Sequence, residues 1–180
     1  MERRNIRSFP ANVQTNQELI EEAMELGCQR AKVVMTNSIA LGSWVHLQCQ
    51  FSCPHYGKLF TCPPCTPSSH EMGEILMEYQ KALLIQGSNA SDALNIVVGL
   101  EQRFKKKGFY KAFAMSAAPC ELCDPCTIET QCKHPEKARP TLQACGIDVH
   151  ETMFKNGWGE PDPKPEPCSP TNKIAMVLID

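Results

Sequence analysis

The feature of this chain that most constrains its fold and function is cysteine, which occupies 11 of its 180 positions. Eight of the cysteines form two groups with short gaps, one in residues 49–65 and one in residues 120–132. The members of the two groups are Cys49, Cys53, Cys62 and Cys65, then Cys120, Cys123, Cys126 and Cys132. Gaps of two or three residues let neighbouring thiolates reach one centre, so this spacing predicts cysteine-ligated metal.

The second group favours an iron–sulfur cluster. Its first three cysteines are separated by two residues each, and this spacing wraps one side of a [4Fe-4S] cluster. The run resembles that of bacterial ferredoxins, except that five residues instead of three precede Cys132. Cys132 therefore either closes this cluster or binds another centre. Zinc is the alternative, but zinc sites made of four cysteines favour two well-separated pairs.

The first group is compatible with either metal. A pair separated by three residues and a pair separated by two, eight residues apart, suit a tetrahedral zinc site and a cluster equally well. Cys62 and Cys65 also form a C-x-x-C pair, as in thiol oxidoreductases. Two prolines stand between these thiols, and the redox motif normally opens a helix directly after a strand, so we disfavour a redox disulfide here.

Several residues near the two groups have alternative interpretations. His55 and His134 are candidate ligands or donors to sulfur, or else solvated loop histidines. Three cations would offset cluster charge or are ordinary surface residues: Lys58, Lys133 and Arg139. Two aromatic residues would shield a cluster from water or pack in the core: Tyr56 and Trp158. The remaining cysteines are interpreted as buried structural residues or, for the last, as incidental: Cys28, Cys145 and Cys168.

Hydrophobic periodicity predicts alternating helices and strands. Capping boxes at Thr15 and Ser68 each precede a helical pattern, the first over residues 16–26, and a third helix is predicted over 91–107. Four short apolar segments are predicted strands: 31–36, 82–86, 110–116 and 173–179. We therefore expect one α/β domain over residues 1–180, with a mostly parallel sheet of about four strands flanked by helices and two cysteine-rich metal-binding loops. The proline-rich residues 161–170 predict an extended spacer.

Composition excludes several classes of function. The net charge of −2 lacks the basic excess that nucleic-acid binding needs. The longest apolar run, residues 174–179, is far shorter than the ~20 residues of a membrane span. With no secretory signal and an odd number of cysteines, we expect a cytoplasmic protein with reduced thiols. No nucleotide fingerprint or catalytic triad is recognisable, so the sequence does not decide whether the protein is an enzyme.

The sequence resembles an uncharacterised family of cysteine-rich predicted metal-binding proteins of anaerobic bacteria and archaea, from about residue 30 to the end. The matching features are Cys53, Tyr56-Gly57, Cys62-Pro63-Pro64, Cys120, Cys123, Cys126, Cys132, Pro135, Ala138-Arg139-Pro140 and Gly146-Ile147-Asp148-Val149. The resemblance implies cysteine-ligated metal, as one or two [4Fe-4S] clusters. Its pattern does not regularly place cysteine at Cys65, which would leave Cys49, Cys53 and Cys62 as a three-thiolate site with an open iron.

These observations predict an iron–sulfur protein that delivers electrons to a partner protein. One alternative is a structural zinc module that binds partners. The other is an enzyme that uses a three-cysteine, open-site cluster in sulfur transfer or elimination chemistry. We also expect the two cysteine groups to meet at one edge of the sheet, because functional loops collect at the carboxyl ends of parallel strands.

Overall fold

The structure is a computed structural model of the chain and describes residues 14–159 and 172–180. It contains helices and strands in an alternating order. The helices are α1 (Asn16–Glu25), α2 (Ser43–Ser52), α3 (Ser69–Met77), α4 (Ala90–Lys106) and α5 (Val149–Lys155). The strands are β1 (Arg30–Met35), β2 (Lys81–Gln86), β3 (Phe113–Met115) and β4 (Ile174–Leu178). The proline-rich spacer predicted for residues 161–170 lies outside the described residues, as does Cys168.

The predicted helix starts are confirmed by their capping interactions. Thr15 and Ser68 each accept a hydrogen bond from the backbone of a glutamate three residues later, and that glutamate bonds back to the cap. Helix α4 begins after Asn89, whose side chain accepts from the Asp92 backbone. These bonds satisfy backbone N–H groups that have no partner inside a helix. The cap residues therefore fix where α1, α3 and α4 begin.

The prediction of a mostly parallel sheet is wrong. The four strands form one sheet in the order β1-β2-β4-β3, and each neighbouring pair is antiparallel. Since β2 and β3 both run antiparallel to β4, they run parallel to each other, as α/β alternation suggests. They are not hydrogen-bonded neighbours, however, because the last strand of the chain inserts between them. The unit β2-α4-β3 is thus a split β-α-β unit.

Both faces of the sheet are covered, which accounts for its apolar strands. Alternate residues of a strand point to opposite faces, so Leu83 and Ile85 pack with α1 and α4, whereas Leu84 packs with α3 and α5. All five residues of β4 are buried. The unbroken apolar run of β4 is thus explained by its position inside the sheet, where both of its faces are covered. Among the described residues, no helix combines the length and apolar character needed to cross a membrane.

The first cysteine group does not lie wholly in a loop, as the sequence suggested. Helix α2 covers Ser43–Ser52 and carries Cys49 on its buried side, next to Val45. Only the chain after Cys53 is irregular, with successive turns up to α3. The second group agrees with the prediction, because the described chain between β3 and Gln143 contains no helix and no strand.

Candidate metal centre

The four cysteines of the second group line a single cavity. They are free thiols of intermediate exposure, and they sit on the irregular chain after β3. They are Cys120, Cys123, Cys126 and Cys132. Because no helix or strand holds this segment, its shape depends on its turns and on contacts with the rest of the domain. The cavity therefore places four soft sulfur donors around one space.

Backbone groups of the same loop donate to two of these sulfurs. The His134 N–H donates to Cys132 Sγ at 3.4 Å, and the Leu122 backbone donates to Cys120. Burial nevertheless raises the pKa of Cys120 above its ordinary value, and the neighbouring thiolates of Cys132, Cys126 and Cys123 add repulsion. In a metal-free protein, burial and this repulsion therefore favour the protonated form of the Cys120 thiol. A bound cation would remove that penalty.

A buried ion pair fixes the far end of this loop to α4. The Arg139 guanidinium donates to both carboxylate oxygens of Glu101, at 2.7 and 2.9 Å. Arg139 also donates to the carbonyls of Pro135 and Ala138, which belong to the cysteine-rich loop. The sequence predicts Arg139 as a cation that offsets cluster charge or as an ordinary surface residue, but the side chain is buried and Glu101 balances its charge. Its structural role is to fasten the loop to the helix.

The first cysteine group is divided by burial. Cys49 and Cys62 are buried, whereas Cys65 is exposed. Cys53 follows the last residue of α2 and takes part in a disulfide in this structure. Burial raises the pKa of Cys49. Burial also raises the pKa of Cys62 to about 11, an effect that the neighbouring Thr61 hydroxyl partly offsets and that nearby thiolates increase.

Cys145 joins Cys49 and Cys62, which sequence reasoning missed. It lies in a short 3-10 turn, Gln143–Cys145, that packs against α2. Cys145 is 1% exposed, and burial raises its pKa to about 12, with further repulsion from Cys49 and Cys62. Its position thirteen residues after Cys132 gives no spacing signal. Only the tertiary contact between this turn and α2 brings the three thiols together.

Hydrogen bonds hold the turn in place. The Ala144 carbonyl accepts from the Thr66 hydroxyl at 2.7 Å and lies 2.9 Å from His46 Nε2. The Cys49 thiol points at the Gln143 carbonyl, with a sulfur–oxygen distance of 4.0 Å. These contacts join the turn both to α2 and to the chain that leads into α3. The neighbourhood of Cys145 is therefore set by three segments that are distant in sequence.

The two cysteine groups lie together. The thiolates of Cys120 and Cys126 repel that of Cys62, and Leu59, Phe60 and Thr61 line the same cavity as the second group. The expected route to this meeting, through the ends of parallel strands, does not apply to an antiparallel sheet. The turns after α2 instead bring the first group against the loop that follows β3.

The other candidate residues lie at different depths. His134 and Lys133 line the four-cysteine cavity, and His55 and Lys58 line an adjoining open cavity that reaches three of its cysteines. Trp158 instead packs in the core on the α3 side of the sheet, with Arg30 over its ring at 4.5 Å. Its packing role is therefore confirmed. Tyr56 is half-buried among the turns after α2.

The donors of the four-cysteine cavity are compatible with an iron–sulfur cluster or with zinc. In residues 14–159 and 172–180, no three His, Cys, Asp or Glu side chains are positioned to bind one metal ion. A cubane cluster instead binds one thiolate at each iron, so its ligands surround a space. Thr61 also belongs to the cavity lining, and its buried hydroxyl has no partner of normal hydrogen-bond geometry among the described residues. An acceptor inside the cavity would satisfy it.

The family assignment follows from a family model described as "Predicted metal-binding protein (DUF2284)", which matches residues 32–179. The chain belongs to this family. The predicted match to a family of cysteine-rich, predicted metal-binding proteins is thereby confirmed. DUF2284 covers both cysteine groups, Cys145 and the whole sheet except the start of β1. Its description names neither the metal nor an activity. No curated protein and no solved structure matches the chain.

Proposed function

We propose that this member of the predicted metal-binding family is an iron–sulfur protein that transfers electrons to a partner protein. Cys120, Cys123, Cys126 and Cys132 would hold one [4Fe-4S] cluster. The observation that carries the proposal is the cavity lined by these four thiols, all from one irregular loop. A [4Fe-4S] cluster supplies reversible one-electron chemistry, with a potential set by its surroundings.

The donor chemistry supports iron over zinc in this cavity. Four sulfurs with two residues between the first three suit a cluster, whereas one zinc ion needs all four sulfurs within about 2.3 Å of a single point. N–H donors to Cys120 and Cys132 stabilise thiolates and the negative charge of a reduced cluster. The zinc module remains the alternative that a metal analysis separates from this proposal.

The remaining thiols would form a second metal centre. Cys49 and Cys62 are its buried members, and Cys145 lies beside both. Cys53, predicted as a further ligand, takes part in a disulfide in this structure and would join the centre only after reduction. Cys65, the other predicted ligand, is exposed, and the proposed centre does not require it. The thiolate of Cys62 is repelled by those of Cys120 and Cys126, which line the four-cysteine cavity. The two centres would therefore be close neighbours. Neighbouring centres would pass electrons from the interior toward the surface.

The position of the cavity supports transfer to a partner protein. Its cysteines are partly exposed, and the open cavity lined by His55 and Lys58 reaches Cys120, Cys123 and Cys126. A cluster held there would lie near the surface, as outer-sphere transfer to another protein requires. We expect the protein to work in the cytoplasm, where reducing conditions keep thiols available.

A pair of cysteine variants tests the proposal. Cys123→Ser removes one cavity thiol, and it should reduce both iron content and the visible absorption of the anaerobically purified protein. Cys28→Ser is the matched control, because Cys28 is buried in the core between the sheet and helices α1 and α4 and belongs to neither cysteine group. Its thiol donates to Met24 Sδ at 3.5 Å. Equal iron in the wild type and both variants would contradict the assignment of the cavity.

A further inference from the structure

Two threonine hydroxyls line the four-cysteine cavity, and they differ in their bonding. The Thr127 hydroxyl donates to the Gln131 carbonyl at 2.7 Å, within the loop. The Thr61 hydroxyl has no partner of normal hydrogen-bond geometry in residues 14–159 and 172–180, although Thr61 is only 5% exposed. A buried hydroxyl left without a partner destabilises the fold. The Thr61 hydroxyl is therefore free to donate to the adjacent Cys62 sulfur or to an acceptor inside the cavity.

The surroundings of Thr61 are rich in sulfur. Thr61 stands next to Cys62, whose thiolate its hydroxyl favours, and it lines the same cavity as the second cysteine group. The loop that carries Cys120 and Cys132 already donates its own N–H groups to those two sulfurs. Thr61 differs from these donors because it comes from the first cysteine segment. It is thus a donor to the cavity that does not belong to the loop carrying the four cysteines.

We propose that the Thr61 hydroxyl donates an O–H···S hydrogen bond to a sulfur of the cluster held in this cavity and so raises its reduction potential. The inference rests on the proposed function. Reduction adds an electron whose charge spreads over the cluster sulfurs, so a donor stabilises the reduced state more than the oxidised state. Removing the donor should shift the potential to more negative values.

The test compares reduction potentials of the cluster-loaded protein by dye-mediated titration. Thr61→Val keeps the shape of the side chain and removes the hydroxyl, so its potential should be more negative than that of the wild type. Thr61→Ser keeps the hydroxyl and should stay close to the wild type. Thr127→Val is the matched control, since the hydroxyl that it removes is already bonded to a carbonyl. Iron and sulfide are counted in every sample.

Each outcome decides the inference. A Thr61→Val protein with full iron and sulfide and an unchanged potential overturns it while the proposed function stands. Should the valine variant lose its cluster, Thr61→Ala and Thr61→Ser repeat the comparison with side chains that differ only in the hydroxyl. Cluster loss in the alanine but not the serine variant supports the bond, whereas equal loss in both shows a packing role. A wild type that contains zinc and no sulfide refutes the proposed function itself.

Discussion

Replacing Arg139 by methionine should destabilise the fold and release the cysteine-rich loop. Arg139 and Glu101 form a two-point ion pair, with side chains 9% and 3% exposed. Methionine fills most of the volume of arginine but removes both charge-assisted bonds to the carboxylate. It also removes the bonds to the Pro135 and Ala138 carbonyls, which fasten the loop. The loss therefore affects both global stability and the metal site.

The size of the stability loss in Arg139→Met depends on the hydrogen bonds that Glu101 keeps. Breaking a buried ion pair by removing one partner costs about 3–5 kcal/mol. The carboxylate keeps bonds from Lys105 at 2.6 Å and from the Ala114 N–H at 2.7 Å, which places the loss near the lower limit, about 3 kcal/mol. For a domain of this size, each kcal/mol lowers Tm by about 2–4 °C, so we expect a drop of about 6–12 °C.

The assay is urea denaturation of the metal-free, reduced protein, followed by circular dichroism in a double-mutant cycle. The variants are Arg139→Met, Glu101→Gln and the combination of the two, in which the glutamine carbonyl still accepts from the Ala114 N–H. The double variant should be more stable than the sum of the single losses predicts, by at least about 1 kcal/mol. Strictly additive losses, or a loss below about 0.5 kcal/mol for Arg139→Met, would refute the reasoning.

The same ion pair predicts a dependence on pH. Burial tends to raise the pKa of Glu101, but hydrogen bonds from Arg139, Lys105 and Ala114 outweigh it and lower the pKa below the ordinary 4.5. A lowered pKa in the folded state gives stability that is present above pH 4.5 and is lost as the pH falls through the folded value. The stability difference between the wild type and Arg139→Met should therefore shrink below pH 4.5.

Further variants test the site and its framework. Cys62→Ser should lower iron per chain, whereas Cys65→Ser should leave it unchanged, because the first thiol is buried beside the cavity and the second is exposed; equal iron in both would contradict this. Gly146→Ala should cost about 2–4 kcal/mol in urea denaturation, since φ is +73° and a Cβ would lie 2.6 Å from the first residue of α3. Gly27→Ala, at φ +93° with open space, should cost about 1 kcal/mol. Since the pKa of Cys145 rises from 9.0 to about 12, the metal-free wild type should lose stability as the pH rises above 9, and Cys145→Ser should lose less; parallel pH profiles would contradict the raised pKa.

Local signals in the sequence identified most of the fold's elements. All four strands and helices α1, α3 and α4 lie where periodicity placed them, within a few residues. Helix α2 was missed because Gly42 provides no side-chain cap and the helix buries only Val45 and Cys49. Helix α5 was missed despite a usable signal, since Asp148 accepts from the Glu151 backbone at its start. Strand direction was not predictable, because no local residue specifies that β4 inserts between β2 and β3.

In the candidate site too, residues with a local sequence signal were predicted, whereas residues placed by tertiary contacts were not. The spacing of the second group places four thiols on one loop, and the structure assembles them around one cavity. Cys145 and Thr61 carried no such signal, because their relation to the site depends on how distant segments pack. Arg139 could be recognised as a cation near the cysteines, but its pairing with Glu101 required the position of α4. Residues that act through tertiary contacts are thus the ones that sequence patterns miss.

The central claim is that the four-cysteine cavity holds a [4Fe-4S] cluster. The most direct measurement is the number of iron, acid-labile sulfide and zinc atoms per chain in protein purified strictly without oxygen. We expect about four or eight irons per chain with an equal number of sulfides, and a broad visible absorption. Stoichiometric zinc without sulfide, in a colourless protein, would contradict it.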